Sequence, residues 1–305
     1  MAAMVPSSWS RAIGLYEYME QLRDRADKKT WNYDKVFGET GTTDEWQLSG
    51  MLYSGLSMPH ERGFSAPILS ESMEELGEWL IEMVELALGT DIDMRLIEQN
   101  RQIDGLMGKV NKSHGESFSQ AYCVYAAKPL NLGFDATNQP MWDDIALYGS
   151  HVTKAARTVN NVIPTTTVDW DLIWDMIDWL RISQYSQKDL RKSGSPKQFI
   201  GYPSLRRTMK KILGASGEPD TEFLNNPNTL DEFSVDWVEC IELTDTGALY
   251  LQGTKSPANF VFKRRKPVTT VTDDQKRNRT RSILTHSLIL IGVKDWDDTC
   301  AMQGT

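Results

Sequence analysis

An α+β fold is predicted, with one long helix early in the chain and a β-rich end. Three observations carry it. Apolar residues recur at helical spacing from Ile92 through Leu96, Ile103, Leu106 and Val110 towards "SFSQAYCVYAA". Strand-like runs, "SVDWVECIEL", "GALYLQGT", "ANFVFKRR" and "RSILTHSLILIGV", follow one another near the end. Between these lies "VDWDLIWDMIDWLRISQ", a helix with Trp170, Ile173, Trp174, Ile177 and Leu180 on one face and aspartates mostly on the others.

The remaining elements fall in order along the chain. Residues 1–35 read as a polar, partly helical arm whose six bases nearly cancel five acids. From Phe37 to Ser72, five glycines and short apolar–polar alternations flank "LSMPHERG", the pattern of a two-stranded excursion turning between Pro59 and Gly63. A loop of that length in a compact domain points to function. "EELGEWLIEMVELALGT" fits a helix through Leu76, Leu80, Met83, Val84 and Ala87, and equally an alternating strand. Thr90 or Asp91 can cap the long helix that follows, with Gly115 its weakest point and its end before Pro129. Residues 128–167 are loop-rich, with a few short strands. "SPKQFIGYPSLRRTMKKILGASG" reads as a strand, a turn at Pro203 and a basic helix stopped by Gly214 or Gly217. Pro267 places an edge or a bulge in the strand that contains it.

Composition narrows the function classes. At 305 residues, 25% charged and 40% hydrophobic, the chain can bury one large or two medium cores. No signal peptide and no apolar run near the ~20 residues of a membrane span occurs, so no membrane is expected. Three scattered cysteines give neither a disulfide framework nor a zinc spacing. The four histidines share no metal-ligand spacing, and no phosphate-binding glycine loop follows a strand. The aspartates around Trp170–Trp179 are the solvated face of a helix rather than a glycosidase pair. Neither catalytic residues, metal nor cofactor is expected.

Charge is distributed in blocks. The net charge is -9, yet residues 255–281 hold nine bases against Asp273 and Asp274, and residues 71–104 hold ten acids against Arg95 and Arg101. Such blocks pair within the chain or between copies of it.

The order of "WNYDKVFGETGTTDEW", "RGFSAPILSESMEELGEWLIEMVELALGTDIDMRLIEQNR", "SPKQFIGYPSLRRTMKKILGAS", "ELTDTGALYLQG" and the stretch from "FVFKRRKPVTTVTDDQKRNRTR" to "IGVKDW" resembles the major capsid protein of tailed bacteriophages, the Hong Kong 97 fold. The resemblance runs from Tyr33 onward. It implies an N-terminal arm (1–36), an extended β-hairpin loop (37–72), a peripheral domain with a long spine helix (73–130), an axial domain (131–255) and closing peripheral-domain strands (256–305). It favours the strand reading of Glu78–Leu88. It also implies a non-enzymatic shell protein forming homo-hexamers and homo-pentamers around double-stranded DNA, assembled in the host cytoplasm into a virion capsid. Portal, scaffold and cement or decoration proteins are the implied partners, with only weak, non-specific contact to the packaged DNA.

On that basis the expected intersubunit residues are Trp46, Leu52, Tyr53, Arg62, Phe64, Glu74, Glu75 and Glu78 on and beside the loop. Arg264, Arg265, Arg277, Arg279 and Arg281 are expected chiefly to meet acids of neighbouring subunits, with the Glu71–Asp104 stretch as the candidate source. Some members of the family link subunits through a loop lysine; no lysine occurs between Lys35 and Lys109, so no such crosslink is expected. The alternatives are a nucleic-acid-coating protein, resting on residues 255–281 and "RRTMKK", and an encapsulin-type nanocompartment.

Overall fold

The computed structural model describes residues 22–59, 70–93, 103–165, 167–214, 229–275 and 280–304. Three helices and twelve strands are numbered here in chain order: β1 (Glu39–Thr42), β2 (Gln47–Tyr53), β3 (Glu75–Asp93), α1 (Ile103–Asn131), β4 (Ser150–Val152), β5 (Thr158–Asn160), β6 (Val162–Ile163), α2 (Trp170–Asp178), β7 (Pro196–Gly201), α3 (Arg206–Leu213), β8 (Asp236–Glu239), β9 (Leu249–Gly253), β10 (Phe260–Gln275), β11 (Thr280–Val293) and β12 (Thr299–Met302). They build two five-stranded sheets, ordered β1-β10-β11-β3-β2 and β6-β12-β9-β7-β8, with β4 and β5 as a separate pair.

The ambiguous acidic segment is a strand, and an unusually long one. From Met83 onward β3 pairs antiparallel with β11, and from Glu75 to Glu82 it pairs with β2. Its buried face changes along its length. Ile81 faces a small cluster with Leu48, Val261 and Leu290, whereas Val84, Leu86 and Leu88 pack against the main core. Because neighbouring residues of a strand point to opposite faces, the two clusters lie on opposite sides of the sheet. Thr90 and Asp91 therefore do not cap a helix. They are strand residues, and the Thr90 hydroxyl lies 2.7 Å from His114 Nε2.

The long helix α1 runs through Gly115 without interruption and passes Pro129, ending at Asn131 rather than before the proline. Proline so near a helix end forfeits a single interior bond, and Leu132 N–H still reaches the Lys128 carbonyl at 2.9 Å. Gly115 is a contact position, not a weak point. A Cβ there would stand 2.6 Å from Arg25 Cβ, so glycine lets residues 22–26 lie against the helix. On its other side α1 is fastened to the first sheet by polar contacts. His114 Nδ1 lies 2.8 Å from Thr285 Oγ1, and Tyr122 donates to Ser287 Oγ at 2.6 Å.

The second sheet is deeply buried, with every residue of β9 and β12 out of solvent. α2 covers it with Leu172, Ile173, Met176 and Ile177, and begins where the Asp169 carboxylate accepts the Leu172 N–H at 2.8 Å. Strand β12 differs from the sequence expectation. Residues 260–293 close the first sheet, but 299–302 cross over and pair with β9 and β6. Asp298, at φ 61°, makes the turn, and its carboxylate accepts the Lys255 and Ser256 N–H groups. Pro267 lies in a region of register shifts between Arg264 and Thr269, the expected bulge. It also lies beyond β1, whose pairing with β10 stops at Arg264.

Candidate assembly surfaces

The β2–β3 hairpin extends β3 beyond its pairing with β11 in the first sheet, so its direction is set by that strand. Its root is held by the Leu48–Ile81–Val261–Leu290 cluster, with Trp79 and Met83 packed alongside. Two glycines make this packing possible. A Cβ at Gly292 would meet Ile81 at 2.8 Å, and one at Gly50 would meet the Trp79 ring at 2.7 Å. The hairpin and its flanking segments carry apolar side chains outward. Trp46, Met51, Tyr53, Leu56, Met58, Met73 and Leu80 are all large, apolar and exposed, Met58 to 68%.

Both ends of this excursion are tied to the chain's own body. The Arg265 guanidinium lies 3.5 Å over the Trp46 ring, and its Nε donates to the Asp44 carbonyl at 3.1 Å. On the return side, Lys188 pairs with Glu74 at 3.0 Å and with Glu71 at 3.4 Å. Ser57 donates to Glu71 from its backbone N–H and its hydroxyl, and these bonds hold the Glu71 carboxyl below the usual carboxylate range.

The expected interface residues thus divide. Tyr53, Glu75 and Glu78 are exposed on the hairpin and Leu52 is half-buried. Trp46 is exposed on one side of its ring while Arg265 covers the other, and Glu74 is paired within the chain. Arg62, Phe64, Arg277 and Arg279 lie outside the described residues. Arg281 is placed through its backbone, opposite Asp274 and Ile92.

The start of the basic block meets acids of the N-terminal segment. Arg264 pairs with Asp27, and Lys263 and Lys294 with Glu39. Burial disfavours ionising Glu39, but hydrogen bonds from Lys263 and Lys294 outweigh it and keep its carboxyl below the usual range. Phe262 packs against Tyr33 and Phe37 beneath these pairs, fixing the segment to the sheet. Sequence reasoning missed Asp27, Glu39 and Lys188 as partners, because each is more than a hundred residues from the group it meets. The loop was legible from its length and glycines, but the exposure of Met51, Met58 and Met73 was not read from the sequence.

A second charged surface lies on α3, where Arg206, Arg207, Lys210 and Lys211 line an open hollow beside Pro203 and Ser204. Among the described residues, no group of three or more His, Cys, Asp or Glu side chains is placed to hold a metal ion. No described helix is long and apolar enough to cross a membrane.

No family model and no curated protein sequence matches the chain. Solved structures do. A chain from Mycobacterium phage Cain superposes with a TM-score of 0.54 at 10% identity, covering 91% of each chain. A virus-like particle from Pyrococcus furiosus gives 0.54 at 11% identity, covering 95% of this chain and 99% of that one. The capsid of a native GTA particle gives 0.54 at 11%, covering 92% and 90%. At such identities the likeness is one of fold. The chain has the Hong Kong 97-like fold that its sequence resembles, over nearly its whole length.

Proposed function

We propose that the chain is a major capsid protein, a structural subunit that assembles with copies of itself into hexamers and pentamers of an icosahedral shell around double-stranded DNA. The observation that carries this is the β2–β3 hairpin. Seven large apolar side chains stand exposed on the hairpin and the segments that flank its strands, and an apolar surface of that kind marks an interaction site. A shell subunit would lay this hairpin over its neighbour. In this reading the first sheet and α1 form the peripheral domain (73–130 with closing strands from 256), the second sheet belongs to the axial domain (131–255) with β12 returning to it from the closing segment, and residues 1–36 and 37–72 are the arm and extended loop. The role is mechanical and calls for no catalysis. Host-cytoplasmic assembly and partnership with portal, scaffold and cement proteins follow from the same reading.

The test is electron microscopy of the purified chain with its absorbance ratio at 260 and 280 nm. Closed shells, polyheads or rings of five or six with little nucleic acid are expected. Beaded filaments rich in nucleic acid would instead make it a nucleic-acid-coating protein, whose binding weakens steeply with salt.

A further inference from the structure

Two helices of the second sheet carry opposite charges on faces that the rest of the described chain leaves open. On α3, Met209 and Ile212 are buried while Arg206, Arg207, Lys210 and Lys211 are exposed. Arg206 meets Glu239 at 2.9 Å, but no described carboxylate pairs with Arg207, Lys210 or Lys211. Like charges one turn apart oppose a helix, so this face gains from an anionic partner. On α2 the buried Leu172, Ile173, Met176 and Ile177 leave Asp171, Asp175 and Asp178 exposed. Their spacing of four and three residues makes one stripe, and no described basic side chain pairs with it. Asp169 is already engaged by the Leu172 N–H.

The two faces are held apart within one molecule. α2 reaches Phe233 through Trp174, with ring centroids 6.1 Å apart, and Phe233 precedes β8. α3 follows β7 and meets Glu239, the last residue of β8. Strands β7 and β8 are parallel, so the helices stand at opposite ends of these strands. A head-to-tail ring needs two different, complementary patches on one subunit. Basic and acidic rows that each repeat every helical turn supply them.

We propose that the basic face of α3 in one copy docks on the Asp171–Asp175–Asp178 stripe of α2 in the next, closing the ring of axial units. This rests on the shell-protein reading and adds the contact that gives a ring its direction. The occupant is a second copy rather than nucleic acid, because the same unit carries the matching acidic stripe on a separate face.

Three variants test it: Arg207→Glu with Lys211→Glu, Asp171→Lys with Asp175→Lys, and the four-fold swap. Arg207→Gln with Lys211→Gln is the milder companion should a reversal fail to fold. Circular dichroism and melting establish folding, and sedimentation velocity with electron microscopy gives the concentration at which rings or shells form. Each reversal is expected to raise that concentration about tenfold or more, since several exposed pairs turn from attraction to repulsion, and the swap to restore it. Reversals that assemble like the wild type, or a folded swap that fails to rescue, would overturn the proposal. So would a basic-face reversal that loses only co-purifying nucleic acid. A wild-type chain that stays monomeric defeats the shell reading itself, and that outcome is visible without any variant.

Discussion

The hairpin is anchored by a cluster separate from the main core, and one side chain tests this. Ile81 is buried and sits on Gly292, facing Leu48, Val261 and Leu290. Ile81→Ala removes three buried carbons. At about 0.8 kcal/mol per carbon the transfer loss is about 2.4 kcal/mol, and an unrelaxed cavity brings the total into the range of about 2–4 kcal/mol. An isolated two-stranded hairpin is marginal in water, so the loss should fall on the hairpin and not on the whole fold.

Hydrogen exchange resolves where it falls, because local opening has its own free energy. Amides of β2 and of residues 75–82 should lose protection about 30-fold or more, at a tenfold change per ~1.4 kcal/mol. Those of α1 and β9 should keep theirs. Ile289→Ala is the control, since Ile289 belongs to the main core on the other face of the sheet; it should lower protection throughout. A uniform loss in the Ile81 variant, or none, would refute the two-cluster account.

Three further outcomes are expected. Burial holds the His114 imidazole below its usual range, so the unfolded chain takes up the proton first and stability falls as pH drops through about 6.5. The Asp295 carboxyl, pushed up to about 6 by burial, titrates with the opposite sign nearby. The reading is therefore the melting difference between wild type and His114→Gln, which should shrink between pH 7.5 and 5.5. Asp169→Ala removes the cap of α2 and should cost about 1 kcal/mol in denaturant unfolding. Assembled particles boiled in SDS should run as a single monomer band, because the loop offers no lysine; a resistant ladder would show a crosslink of another kind.

The sequence was most legible where one physical signal acted alone. Pro267 cannot donate to a ladder, and β10 bulges there. "YPSLRRTMKKILG" turns at Pro203, becomes a helix and stops at Gly214, each step by local chemistry. It was least legible where two signals overlapped. Ile81 is buried on one face of β3 and Val84 packs half-buried on the other, so its apolar pattern shifts phase midway and imitates helical spacing. Thr90 and Asp91 have capping chemistry, but Thr90 is used by a histidine of the following helix and Asp91 accepts from Ser282 at 2.6 Å. Strand β12 has four residues and no period to read. The hairpin announced itself by length and glycine, whereas the ties at its ends depend on long-range partners.

Basic segments that look alike in sequence have different physical standing. Lys263 and Arg264 are part of the fold: their partners Glu39 and Asp27 lie on the segment that packs through Tyr33 and Phe37 onto Phe262. Reversing either charge would set like charges together at half-buried positions, so stability would fall before any contact between molecules was affected. Arg207, Lys210 and Lys211 project from a helix whose packing is already complete through Met209 and Ile212. Their charge can be reversed with little cost to folding, and whatever is then lost belongs to a partner. That contrast makes α3 the sharper probe of assembly, although the segment after Phe262 holds the denser run of bases.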